Sequence, residues 1–175
     1  MDARREDWES IVRTHTPLAF DVAWRLLGNA ADTEDAVQDA LLDAFRLHAR
    51  QPVNNWGALV RHLATRRAID RLRKRREATL VPLSTFEVTA PASEQPEAVA
   101  AERDLAERLR WAIAELSDRE ASVFSLRYFG ELANSEIAQT LGISADAVGV
   151  ALHKARTRLK ELLGLEANTA RRPRS

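Results

Sequence analysis

Apolar residues recur at intervals of three and four along almost the whole chain, and stretches alternating apolar with polar residues are nearly absent. That spacing predicts helices rather than strands. Trp8, Ile11 and Val12, then Leu18, Val22 and Leu26, keep helical register. Pro17 is expected to start or bend a helix, because proline suits a first turn and not an interior. Gly28-Asn29 should end this segment. Asp32 is the expected N-cap of the next, with Glu34 and Asp35 in a first turn that favours carboxylates. Val37, Leu41, Leu42 and Phe45 form its expected buried stripe. Gln51-Pro52-Val53-Asn54-Asn55 reads as a loop. A long helix follows from about Trp56, but its apolar positions (Leu59, Leu63, Ala64, Ile69, Leu72) form no single clean stripe.

The periodicity lapses between Leu80 and Ala101, where VPLSTFEVTAPASEQPEAVA carries three prolines among Ser, Thr, Gln and Glu. Such a stretch buries too little apolar area to offset its ordering entropy, so it reads as a linker. Periodicity resumes at Glu102. Leu105, Leu109, Ile113 and Leu116 mark one helix. Ser117 caps the next, with Glu120 at capping-box spacing, Val123, Phe124, Leu126 and Phe129 as apolar residues, and Gly130 at its end. The expected fold is therefore all-α, with two small helical domains joined by a flexible linker. Residues 1–79 make the first domain, 80–101 the linker, 102–165 the second domain and 166–175 a frayed tail.

The stretch from Asn134 to Leu163 fits a helix-turn-helix. A short helix carries Ile137, Ala138 and Leu141, Gly142 takes the left-handed turn, Ile143 plugs it, and Ser144 caps the next helix with Asp146 in its first turn. Val148, Leu152, Ala155, Leu159 and Leu162 then make one buried stripe. The other faces hold Ala147, Gly149, Ala151, His153, Lys154, Arg156, Arg158 and Lys160, small and neutral first and basic afterwards. A recognition helix touches base edges with its first turns and phosphates with its cations. The alternative is an amphipathic hairpin in a bundle with a solvated basic face.

Composition changes this picture in two places. The 175 residues carry no net charge, but seven bases and one acid (Asp70) fall between Arg66 and Arg76, whereas Leu80 to Asp104 holds five acids and one base. A basic run of this kind points to phosphates. There are no cysteines, so thiolate sites and disulfides are excluded. The four histidines lack ligand spacing, the acidic run from Asp32 to Asp43 lacks the central glycine of a calcium loop, and no glycine-rich phosphate loop or nucleophile triad is present. No metal, no cofactor and no enzymatic activity are expected. With no apolar run near the ~20 residues of a membrane span and no signal-peptide pattern at the start, the chain reads as soluble and cytoplasmic.

The motifs, taken in order, resemble a known family. Leu26-Leu27-Gly28 followed by DTEDAVQD (32–39), then RRAIDRLRKRR (66–76), then LSDREASVFSLRYF (116–129), SEIA (135–138), LGIS (141–144) and LHKAR (152–156), are similar to the extracytoplasmic-function group of bacterial sigma-70 factors. The resemblance implies two helical domains. The first would bind the beta-prime clamp of core RNA polymerase and open the minus-ten element of a promoter. The second would read the minus-thirty-five element and touch the beta flap. An anti-sigma factor is the further partner it implies. Polymerase binding falls on Glu34, Asp35, Val37, Gln38 and Asp39. Minus-ten contacts fall on Asn54, Asn55, Trp56, Arg61, Arg66, Arg67, Arg71, Arg73 and Lys74, although Trp56 equally suits a core aromatic. Minus-thirty-five contacts fall on Ser144, Ala147, Gly149, Val150, Ala151, His153, Lys154, Arg156 and Arg158. Where the family commonly places polar residues, this chain has Gly149, Val150 and Ala151. The triplet suggests reading by methyl contact and DNA shape. A stand-alone helix-turn-helix regulator, or a sigma-like protein that binds polymerase or another partner without a promoter, are the competing readings. The first would need neither the acidic helix nor the basic one.

Overall fold

The computed structural model describes residues 3–80 and 97–165, and every regular element among them is a helix. The helices are α1 (Ala3–Leu27), α2 (Ala30–His48), α3 (Trp56–Leu80), α4 (Glu97–Ala114), α5 (Asp118–Tyr128), α6 (Asn134–Leu141) and α7 (Ala145–Leu163). The expected linker residues 81–96 and the tail 166–175 lie outside the described residues. Helix α4 begins at Glu97, so residues 97–101, assigned to the linker from composition, are helical.

Local chemistry accounts for most helix ends. Helix α1 runs continuously through Pro17, so the proline does not start a helix there. Proline removes one donor, and the packing of α1 on α2 and α3 outweighs that loss. Gly28 follows at a φ of 69°, a left-handed conformation that glycine adopts without steric cost. The cap of α2 is Asn29 rather than Asp32. Its side-chain oxygen accepts from the Asp32 N–H at 2.9 Å, and its amide donates to the Asp32 carboxylate at 3.0 Å. Asn55 caps α3, its side-chain oxygen accepting from the Ala58 N–H at 2.9 Å. Ser117 and Glu120 form the expected capping box, Gly142 ends α6 in the left-handed region, and Ser144 caps α7.

Helix α3 lies at the centre, packed against α1, α2, α4, α5 and α6. Its lack of a single apolar stripe follows from this position. Val60, Leu63, Ala64, Ala68, Ile69 and Leu72 are all buried because the helix has neighbours on several sides. One apolar core joins both halves of the chain, with Ile69 and Leu72 of α3 in the same cluster as Ile113, Leu116, Ala155 and Leu159. A second core sits inside the helix-turn-helix, where Val123, Leu126, Ile137, Val148 and Leu152 meet, joined by Ala58 from α3. Each half is a helical unit, and in this arrangement they close on one another.

Candidate polymerase and nucleic-acid interfaces

The acidic face of α2 turns partly inward. Small residues (Ala36, Ala40, Ala44) bring α2 close to its neighbours. The next row, Asp35, Asp39 and Asp43, then meets the arginines of α3. The Arg71 guanidinium donates to Asp39 at 2.7 Å and lies 3.8 Å from Asp35. Arg67 donates through Nε to Asp43 at 2.8 Å and through a second nitrogen to the same oxygen. That hydrogen bond raises the pKa of Arg67 above its ordinary value against the cost of burial, reinforced by the charges of Asp43, Asp39 and Asp70. Val37, expected at the polymerase-binding surface, is 4% exposed and belongs to the core. Glu34 and Gln38 are exposed and, among the described residues, make no side-chain hydrogen bond or ion pair.

Beside Gln38 the helix departs from expectation in the opposite direction. Leu42 and Phe45, read as part of a buried stripe, are 55% and 50% exposed. With Trp8, Val12 and Leu41 they line an open apolar cavity of about 460 Å³ that Gln38 borders. Alanines already fill the space between helices, so the bulky residues of the stripe spill to the surface. The signal was present in the sequence, since an apolar arc including three alanines as well as Val37, Leu41, Leu42 and Phe45 is wider than one contact face.

The arginines of α3 divide three ways. Arg67 and Arg71 pair with α2. Arg73, Arg75 and Arg76 reach the other half of the chain. Arg73 pairs with Asp118 and donates to the Leu116 carbonyl at 2.8 Å and the Ala114 carbonyl at 3.3 Å. Arg75 donates to Glu107 at 3.3 Å and to the Leu27 carbonyl at 3.1 Å, and lies 5.5 Å from the Trp111 ring centre. Arg76 pairs with Glu115. From the other side, Arg110 of α4 donates to the Arg25 carbonyl at 3.1 Å and crowds Gly28, where an added Cβ would meet its guanidinium carbon at 2.5 Å. The carbonyls left unpaired at the end of α1 are thus satisfied by one arginine from each half. Arg61, Arg66 and Lys74 make no ion pair among the described residues, and Arg66 and Lys74 are exposed.

Electrostatics along this seam follow from the same geometry. The hydrogen bond and charge of Arg73, with a smaller contribution from Arg66, hold the Asp118 carboxyl below its ordinary range. His62 lines a cavity of about 340 Å³ between α3 and the helix-turn-helix, with Arg66, Asp70, Arg73, Asp118 and Arg119. Burial and the nearby Arg66 push its pKa down to about 4, and its Nδ1 has no hydrogen-bond partner. His15 is lowered as well, by burial and by Arg61.

The loop before α3 presents amides rather than a ring. Trp56, expected at the minus-ten surface, packs its ring against Trp8 at 6.0 Å and His48 at 5.4 Å. Its indole is committed to that aromatic cluster, and the Asn55 side-chain oxygen to the cap of α3. Asn54 is exposed and lines a cavity of about 610 Å³ with Gln51, Pro52 and Val53, whose far wall is Gln139 and Thr140 of α6.

Helix α7 displays a free surface. Gly149, Val150, His153, Lys154, Arg156, Arg158 and Lys160 are exposed. Arg158 pairs with Glu161 at 3.0 Å, and Arg156 lies 5.8 Å from the Tyr128 ring centre. Ala151, expected to face DNA, is 4% exposed and packs in the helix-turn-helix core next to Leu152, because the hundred-degree step per residue carries it to the inner face. Ala147 is half-buried, and the Ser144 hydroxyl oxygen accepts from its N–H at 3.1 Å. A Cβ added to Gly149 would meet nothing within 4 Å.

The family of this chain can be read from comparison with known proteins. The sigma-70 region 2 model matches residues 11–78, and the sigma-70 region 4 model matches residues 106–159. The chain belongs to the sigma-70 family. Relatives include the ECF RNA polymerase sigma factor SigE of Mycolicibacterium smegmatis, 25% identical over 92% of this chain and 63% of that protein. SigW of Bacillus subtilis, also an ECF sigma factor, is 24% identical over 91% of this chain and 90% of its own length. RNA polymerase sigma factor YlaC of the same organism is 28% identical over 90% of this chain and 92% of its own length. These place the sigma-70 chain in the ECF group, and it spans less than two thirds of the length of SigE. A crystal structure of the sigma factor RpoE of Bartonella quintana with the anti-sigma factor NepR shares the fold. Its TM-score is 0.55 and its identity 21%, covering 92% of this chain and 99% of that one. The family is one of sigma factors, not of catalytic enzymes. Among the described residues, no helix is long and apolar enough to cross a membrane and no cluster of three His, Asp or Glu could hold a metal ion.

Proposed function

We propose that this chain is a promoter-specificity subunit that binds core RNA polymerase, recognises minus-ten and minus-thirty-five elements and opens DNA for initiation. It acts in the cytoplasm and carries no catalytic centre of its own. The observation that carries the reading is the ordered pair of region 2 and region 4 matches on one chain, a combination that a stand-alone regulator does not need. Residues 1–79 form the melting domain and 102–165 the upstream-reading domain. Polymerase docking uses Glu34, Gln38, Leu42 and Phe45, which join exposed polar groups to an open apolar cavity beside the acids of α2. Arg61, Arg66 and Lys74, with the amides of Asn54 and Gln51, meet the minus-ten region, and α7 meets the minus-thirty-five element.

The reading requires the halves to separate. Elements centred about 25 base pairs apart, at about 3.4 Å per base pair, lie about 85 Å from one another. The whole of α3, at 25 residues, is only about 37 Å long. A chain whose two halves share one core cannot touch both elements at once. The closed arrangement is therefore the state of the free protein, and polymerase docking exchanges the contacts of α3 with α4 and α5 for contacts with polymerase and DNA. An anti-sigma factor, the partner of the structural relative, is a candidate second ligand of the same surfaces. Run-off transcription with purified core polymerase tests the reading. Promoter-specific transcripts that appear only when this chain is added are expected. Stable polymerase binding without such transcripts would reduce the chain to a sigma-like binding protein, and absence of polymerase binding would favour a stand-alone regulator.

A further inference from the structure

Helix α7 holds a glycine the protein itself does not need. Gly149 lies inside the helix, where glycine is the poorest former after proline. Its φ is not in the left-handed region, it is exposed, and a Cβ would enter open space. Neither backbone strain nor internal packing accounts for it. A missing side chain at an exposed position leaves room outside the molecule, which suits close approach of another surface to the helix backbone.

The neighbouring residue indicates what that surface offers. Val150 is 55% exposed and borders a groove of about 540 Å³ between the capped start of α5 and α7, with Arg119, Glu120 and Lys154 on the same groove. In the first three turns of α7 the exposed residues are Ala145, Asp146, Gly149, Val150, His153 and Lys154, and Val150 is the one with a branched apolar head that reaches beyond Cβ. Its branched side chain has few rotamers, so two methyl groups are held ready before binding. Of the base edges in a major groove, thymine alone presents a methyl group, at C5. Arg119 and Lys154 flank the groove with charges suited to phosphates.

We infer that Val150 is a specificity-determining residue that reads the C5-methyl of a thymine in the upstream promoter element, and that Gly149 provides the clearance. The inference rests on the sigma-factor reading and adds the base and the atom. Ala151 takes no part, since it is buried, so the apolar reader of the triplet is a single side chain.

Selection separates the two readings. Holoenzyme made from core polymerase and the full chain is used to select duplexes from a pool randomised across the upstream element. The pool is made once with thymine and once with deoxyuridine, which keeps the pairing and lacks the methyl. The wild type should enrich thymine at one position, with about fourfold loss of affinity when that base becomes deoxyuridine, the size expected for one methyl removed from contact. Val150→Ala should bind about as weakly as the wild type on deoxyuridine and show no further loss there. Gly149→Leu, whose Cβ meets nothing within 4 Å, should stay folded and keep salt-dependent binding while losing the thymine preference. Equal thymine enrichment by wild type and Val150→Ala, or no thymine position sensitive to deoxyuridine, overturns the inference and leaves the sigma-factor reading standing. A holoenzyme that forms but enriches no sequence overturns both.

Discussion

Two basic surfaces, one on α3 and one on α7, have similar sequence character and opposite fates in the fold. Seven bases crowd into 11 residues of α3, yet five of them are held by carboxylates or carbonyls of α2, α4, α5 and the turns beside them. Helix α7 carries fewer cations, and Lys154 and Lys160 are exposed with no ion pair among the described residues. The difference is one of position. Helix α3 is central and meets acids of α2, α4, α5 and the turn between α4 and α5, whereas α7 is peripheral and buries only one stripe. Density of charge in a sequence therefore does not measure how much of it is free to bind phosphate.

The sharpest way to break this comparison is to free α3. Glu107→Ala, Glu115→Ala and Asp118→Ala together remove three partners of Arg73, Arg75 and Arg76. Partly exposed pairs are each worth about 0.2–1 kcal/mol, so the triple variant should bind promoter fragments about tenfold more tightly without polymerase. Its dependence of log affinity on log salt should steepen by about 2–3. Unchanged affinity and slope would show that these arginines never meet DNA. Because the chain lacks cysteine, cysteines placed at Glu77 and Gly149 are unique dye sites. Energy transfer between them should fall when core polymerase is added, and should already be reduced in the triple variant.

The seam between the halves should also respond to acid. His62 has its pKa lowered to about 4 from 6.5, so the unfolded chain takes up a proton that the folded one refuses. Its contribution is fully present above pH 6.5 and is lost as pH falls towards 4. The slope is at most one proton, about 1.4 kcal/mol per pH unit. Denaturant titrations across that window should be flatter for His62→Gln by up to this amount. The lowered carboxyl of Asp118 acts in the same direction at lower pH, where its protonation removes the partner of Arg73.

Smaller effects belong to α7. Gly149→Ala should stabilise the domain by about 1 kcal/mol in thermal melts, because the added methyl has no neighbour to strain. Lys154→Ala should weaken binding to all duplexes by a similar factor and lower the salt slope by about 1, whereas the same change at Arg158, already paired with Glu161, should lower it less. Equal effects at the two positions would contradict the idea that pairing within the fold decides which cations reach DNA.

Local signals were legible where the determining atoms lie within a few residues. Ser117 with Glu120, Gly142 and Ser144 act through bonds to backbone three or four positions away, so their spacing specifies them. The helical class and the order of the two regions followed from periodicity and motif in the same way. Other features depend on partners distant in the chain. The sequence alone does not say that Arg73 would meet Asp118, 45 residues on, or that Arg71 would meet Asp39. Nor does it set the phase of a helix finely enough to place Val37 and Ala151 inside while Leu42 and Phe45 lie at the surface. Sequence by itself determined the helices, the caps of α5 and α7 and the family of this chain, because those rest on short-range geometry. Only tertiary structure decided which charges are free and which apolar faces are open, because both depend on which neighbour each helix meets.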